Sequence, residues 1–137
     1  MNKTLQTFLL IILSFLALQT NAQIKTGEEI IAVLETPASS LESSMGKFKL
    51  KYHTTTANVM IFKGSGQDVY IKISDEKVTE VVVRNMMGTS FKGMLSSLPS
   101  DCALTVKQKN RKVYTGSKYI FTFVTNNKIK EVALNTK

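Results

Sequence analysis

The chain has 137 residues, 43% of them hydrophobic, and a formal net charge of +8. That length supports one domain with a true core. One cysteine, Cys102, excludes an intrachain disulfide, and one histidine, His53, leaves too few soft ligands for a zinc cage.

The first element in chain order is a leader. Lys3 supplies a positive charge, Phe8 to Leu18 an apolar run, and Thr20-Asn21-Ala22 the small residues that a signal peptidase reads. The run falls short of the roughly 20 apolar residues that span a bilayer. Polar residues Gln19, Thr20 and Asn21 follow it directly. The expectation is a secretory signal peptide over residues 1–22, cleaved after Ala22, and a mature domain over 23–137 without a transmembrane segment. The competing reading is an uncleaved N-terminal anchor. No cysteine lies near the cleavage point to carry a lipid.

Thr26-Gly27-Glu28-Glu29 predicts a helix start, with Thr26 capping and Glu29 reaching back to it. Ile30, Ile31, Val33 and Leu34 form its apolar stripe, and Thr36-Pro37 ends it. Pro37 opens a second short helix with Leu41 and Met45 inward and Gly46 as its stop. From Lys47 the period becomes two: Phe48, Leu50 and Tyr52 alternate with lysines, as in a half-buried strand. Asn58–Lys63, Asp68–Ser74 and Lys77–Arg84 read as further strands. Gly64-Ser65-Gly66 and Asp75-Glu76 are the turns between them. Met86-Met87 covers core at a strand-to-helix junction. Thr89 or Ser90 then caps a helix whose stripe is Phe91, Met94, Leu95 and Leu98, stopped by Pro99. Ala103–Lys109, Lys112–Tyr114, Lys118–Thr125 and Lys128–Leu134 complete the strands, with Asn126-Asn127 as the last tight turn.

The fold class is therefore α+β: an antiparallel sheet of about eight strands in hairpins, with two or three short helices on one face. Val69–Val83 aligns with Ile120–Leu134 at a fixed offset of 51 residues, matching Lys77, Glu80 and Val81 to Lys128, Glu131 and Val132. This points to an internal repeat of an α-β4 unit over 26–85 and 86–137.

Charge is uneven along the chain. In residues 103–137, Lys107, Lys109, Arg111, Lys112, Lys118, Lys128, Lys130 and Lys137 stand against Glu131 alone. Such a pole favours anionic partners. Strand periodicity places Thr105, Lys107, Lys109 and Arg111 on one face and Leu104 and Val106 on the other. Lys107, Lys109, Arg111, Lys112 and Lys118 are the candidate anion-binding residues. The competing reading of these cations is edge protection against aggregation.

Catalytic motifs are missing from the pattern. His53 has only threonines beside it, and Asp101 beside Cys102 raises rather than lowers a thiol pKa. Gly64-Ser65-Gly66 lacks the Lys-Ser/Thr of a phosphate loop. Asp75-Glu76 is too sparse for calcium. No cofactor or metal is expected. Nucleic acid is an unsuitable partner, because export removes the chain from it and Tyr114 and Tyr119 do not interleave with the cations. The expectation is a small, non-enzymatic protein of the periplasm or exterior that binds a protein or an anionic envelope component through its basic C-terminal sheet face. Two alternatives stand beside it: a secreted enzyme using His53 or Cys102, and an inhibitory or structural protein pairing through a sheet edge.

Overall fold

The computed structural model describes residues 2–8 and 23–137. The apolar run beyond Phe8 and the cleavage point after Ala22 lie outside the described residues. Helix α1 (Gly27–Leu34) is followed by a 3-10 turn (Ala38–Ser40), helix α2 (Leu41–Met45) and a second 3-10 turn (Gly46–Phe48). Strands β1 (Lys51–Thr56), β2 (Val59–Gly64), β3 (Gln67–Ser74) and β4 (Lys77–Arg84) come next. Helix α3 (Gly88–Ser96) leads to β5 (Ala103–Lys107), β6 (Arg111–Thr115), β7 (Tyr119–Asn126) and β8 (Ile129–Thr136).

The eight strands form one antiparallel sheet in the order β1-β2-β3-β4-β8-β7-β6-β5. Two four-stranded meanders thus meet at their last strands. Val81 pairs with Leu134 and Val83 with Val132 across that seam. Helix α1 lies over β4 and β8, and α3 over β8. The core sits between this helical layer and one sheet face, with Ile30, Leu41, Met45, Val69, Ile71, Val81, Phe121 and Leu134 all fully buried. The fold class expected from the patterning is the one observed.

Local chemistry explains the elements. The Thr26 hydroxyl accepts the Glu29 N–H at 3.2 Å, which caps α1. Glu29 reaches back one residue further than expected, accepting the Lys25 N–H at 3.2 Å and the Thr26 hydroxyl at 3.0 Å. Asp75 and Glu76 both adopt positive φ, as a two-residue hairpin turn requires.

Several boundaries differ from the sequence reading. Phe48 and Leu50 are buried but precede β1, because Lys49 takes a left-handed conformation (φ 54°) and ends the second 3-10 turn. Gly46, expected to stop the helix, is right-handed helical and continues it. Tyr52, expected inward, is exposed. Gly64 approaches this corner so closely that a Cβ there would lie 2.2 Å from the Lys49 carbonyl oxygen. Met87, not Thr89 or Ser90, occupies the N-cap of α3. The methionine pair divides: Met86 is buried and Met87 exposed. The last hairpin turns at Asn127-Lys128, since Asn126 already pairs with Ile129.

The start of the packed body is pinned by a buried amide. Gln67 accepts the Ile24 N–H at 3.0 Å and donates to the Ile24 carbonyl at 2.8 Å. Gln67 is 1% exposed and Ile24 fully buried. The side chain of Gln67 thus replaces a strand partner for one residue, satisfying two backbone groups that burial would otherwise orphan.

Candidate functional site: a basic cleft at the β5–β6 hairpin

The basic pole does not form the single-faced row that uniform alternation predicts. Strand β5 stops at Lys107, and the Gln108 N–H donates to the Arg111 carbonyl at 2.8 Å, closing a tight loop over Lys109 and Asn110. The ladder also slips at Thr105: Leu104 pairs with Tyr114, but Val106 pairs with Val113. One extra residue in an edge strand moves everything beyond it to the other face. Leu104 and Lys107 therefore lie on the helix-covered face, while Val106 shares the opposite face with Val113. Lys107 pairs with Lys112, and Lys112 with Phe123, so these two lysines border the helical layer. Arg111 pairs with Val124 on the other face, and Lys109 sits in the loop.

Lys118 is separated from this group. It lies between β6 and β7, at the end of β6 remote from the hairpin loop. Its ammonium pairs with Glu35 at 3.2 Å and stands 5.2 Å from the Tyr119 ring centroid. The Tyr119 hydroxyl also donates to Glu35. The Tyr119 hydrogen bond and then the Lys118 contact hold the Glu35 carboxyl below its ordinary range. The Lys118 charge is therefore matched at the C-terminus of α1.

What the structure does bring together is Lys109, Asn110, Arg111 and Lys112 with three apolar side chains. A cavity of about 250 Å³ opens among them, floored by Phe91 and Leu95 of α3 and Phe123 of β7. Phe123 meets Phe91 edge-to-face at 5.4 Å between centroids and Tyr114 at 5.5 Å. Such contacts fix the floor. Among the described residues, Lys107, Lys109, Arg111 and Lys112 take part in no ion pair. Three uncompensated cations, Lys109, Arg111 and Lys112, around an apolar floor attract an anion that carries a small apolar appendage. Ligand-enclosing pockets generally span about 300–1,000 Å³. This cleft is smaller, so it suits one feature of an extended surface better than a whole free molecule. The floor was invisible to periodicity, which reads Phe91, Leu95 and Phe123 as core alone.

A larger cleft of about 570 Å³ runs between Gln23, Ser65 and α3. Across it the Gln23 amide donates to the Ser65 carbonyl, and Ser90 donates to Gln23 at 2.9 Å.

The two reactive side chains lie apart. His53 is an exposed bulge residue in edge strand β1, between Tyr52 (paired with Phe62) and Thr54 (paired with Ile61). Cys102 precedes β5 at the other edge of the sheet. Seven strand spacings of about 4.8 Å separate the two edge strands, so no His53–Cys102 dyad forms. Burial, and next the Asp101 charge, push the Cys102 thiol above its usual pKa. Among the described residues no helix is long and apolar enough to cross a membrane, and no group of three or more His, Cys, Asp or Glu side chains could hold a metal ion. Compared with known proteins, the chain matches no family model, no curated protein and no solved structure.

Proposed function

We propose that this is an exported, non-enzymatic binding protein that engages an anionic envelope component at the β5–β6 hairpin. The observation that carries the reading is the set Lys109, Arg111 and Lys112, unpaired around a cleft with a phenylalanine floor, with Lys107 unpaired opposite Lys112 in the ladder. Export is supported by the leader pattern and by a packed body that reaches back to Ile24, two residues past Ala22.

The test is binding of the purified protein to anionic vesicles, anionic polysaccharide and envelope extract across a salt series. Binding should weaken steeply with salt, because exposed charges separated by more than about 8–10 Å are screened at physiological ionic strength. The triple variant K107E/K109E/R111E should lose binding while keeping its circular dichroism spectrum. K118E should retain binding, since its charge is matched by Glu35 at the far end of β6. Absent or salt-insensitive binding would refute the reading.

A further inference from the structure

Among the described residues, two polar side chains are buried, Gln67 and Ser90. Both are spent on the two residues that follow Ala22. Gln67 holds the N–H and the carbonyl of Ile24. The Ser90 hydroxyl, on α3, donates to Gln23 Oε1 at 2.9 Å. The other end of the same amide is held as well. Gln23 Nε2 donates to the Ser65 carbonyl in the β2–β3 turn and stands 3.7 Å from Met87 Sδ. Gly93 of α3 lets the chain pass close by, since a Cβ there would lie 3.0 Å from the Lys25 carbonyl oxygen. Residues 23–25 are therefore seated between the turn and α3, with their first side chain clamped at both ends.

Cleavage after Ala22, the export reading on which this rests, makes Gln23 the amino terminus. A terminal glutamine carries its own ring-closing chemistry. The unprotonated α-amine attacks Cδ. The N–Cδ bond forms, the Cδ–Nε2 bond breaks, and ammonia leaves with the proton that the amine gives up. The product is the five-membered lactam pyroglutamate, and the terminal positive charge is lost. No other reactant is needed. Closure does require the amide to fold back onto the nitrogen of its own residue.

We infer that Gln23 is a cyclisation site that the fold holds open. Its amide is bound to groups 42 and 67 residues away, at Ser65 and Ser90. Its backbone cannot shift to help, because Ile24 is fully buried and paired on both sides. Ring closure must then wait for local opening of this segment. The lactam is also a poorer occupant, since closure expels the Nε2 donor that meets Ser65. The docked terminus stays linear and keeps its α-ammonium, one positive charge at the edge of the cleft that Gln23 and Lys25 line.

The test follows the chain expressed with its leader and purified as the cell processes it. Mass spectrometry of the N-terminal peptide tracks the loss of about 17 Da that marks closure, during incubation at neutral pH. A synthetic peptide of residues 23–30 supplies the unrestrained rate. The purified protein should begin with linear Gln23. It should cyclise about tenfold or more slowly than the peptide, since two hydrogen bonds of ordinary strength hold the amide. Ser90→Ala, which releases Oε1, should cyclise about threefold or more faster than wild type while keeping its circular dichroism spectrum. Should S90A fail to fold, the comparison of wild type with the peptide decides alone. A purified chain already closed to pyroglutamate, a folded protein as fast as the peptide, or a folded S90A no faster than wild type would each overturn the proposal and leave export standing. A chain that begins anywhere other than Gln23 would overturn the proposal and the cleavage point together.

Discussion

The Gln67–Ile24 contact should be the most costly polar interaction in the protein to remove. Gln67→Ala deletes both partners of a backbone N–H and carbonyl that are held at 3.0 and 2.8 Å in a fully buried residue. Each orphaned group costs about 1–3 kcal/mol, so the two together cost about 2–6 kcal/mol. Domains of this kind are stable by about 5–15 kcal/mol in total. At about 4 °C per kcal/mol the melting temperature should fall by roughly 8–24 °C. The residues around Ile24 have one escape, which is to undock from the body. That exposes the Ile24 side chain at a cost of about 2 kcal/mol and caps the loss near the lower figure. Urea denaturation gives the free energy, and hydrogen exchange at Ile24 distinguishes the two routes. Gln67→Glu adds a check of sign. Its protonated form keeps both a donor and an acceptor, and burial raises its folded pKa above the unfolded value. Stability should therefore be retained below about pH 4, the unfolded glutamate range, and lost as pH rises through the folded pKa. An alanine variant within about 0.5 kcal/mol of wild type, with Ile24 still protected from exchange, would refute the argument.

Three further outcomes follow from local geometry. Gly64→Ala should destabilise by more than about 1 kcal/mol, since φ is +155° and the added methyl would meet the Lys49 carbonyl at 2.2 Å; the urea midpoint checks it. Glu35, held low by Tyr119 and Lys118, contributes stability that is present above its ordinary pKa of 4.5 and lost as pH falls through the lowered value. Glu35→Gln should flatten that acid limb, as thermal melts between pH 2 and 5 would show. Cys102 should react slowly with iodoacetamide at neutral pH and accelerate only above the usual thiol range, because burial and Asp101 disfavour its thiolate; mass spectrometry across a pH series measures this.

Element type was legible wherever a run of side chains kept one period. The β-branched alternation of Lys77–Arg84 and the capped stripe of α1 are where patterning puts them. Legibility failed where one residue breaks the period. Phe48 and Leu50 alternate with lysines as a strand would, yet Lys49 turns left-handed between them and both belong to the base of the helical layer. Thr105 does the same to the basic pole. Its bulge sends Lys107 to the helix face, and no propensity marks Thr105 as different from any other strand threonine. The cations were visible as a charge excess. Their apolar floor was not, because Phe91 and Phe123 are 32 residues apart and meet only through the packing of α3 on the sheet.

The same single-residue effect explains why the two meanders align imperfectly along the sequence. Their strands begin 52 residues apart in every case: Lys51 and Ala103, Val59 and Arg111, Gln67 and Tyr119, Lys77 and Ile129. Bulges at His53 and Thr105 keep that spacing. In the third strands the buried positions also stand 52 apart, Val69 and Ile71 against Phe121 and Phe123. In the fourth strands they stand 51 apart, Val81 and Val83 against Val132 and Leu134. The difference is Thr79. It is an extra residue between Val78, paired with Ile73, and Glu80, paired with Lys72, in a ladder whose counterpart between β7 and β8 runs without a break. An ungapped offset of 51 is thus in register for the fourth strands and one residue out for the third, where it sets buried Val69 against half-buried Ile120. The bulge has a structural consequence beyond alignment. It restores Val81 and Val83 to the core face after the turn at Asp75-Glu76, and so lets β4 present valines to β8 at the seam where the two meanders join. Deleting Thr79 should bring β4 into the unbroken register of β8. Val78 would then alternate directly with Glu80 and stay on the core face together with Val81 and Val83, so the seam keeps its valines and the deletion should cost far less than loss of a core residue, as urea denaturation would show.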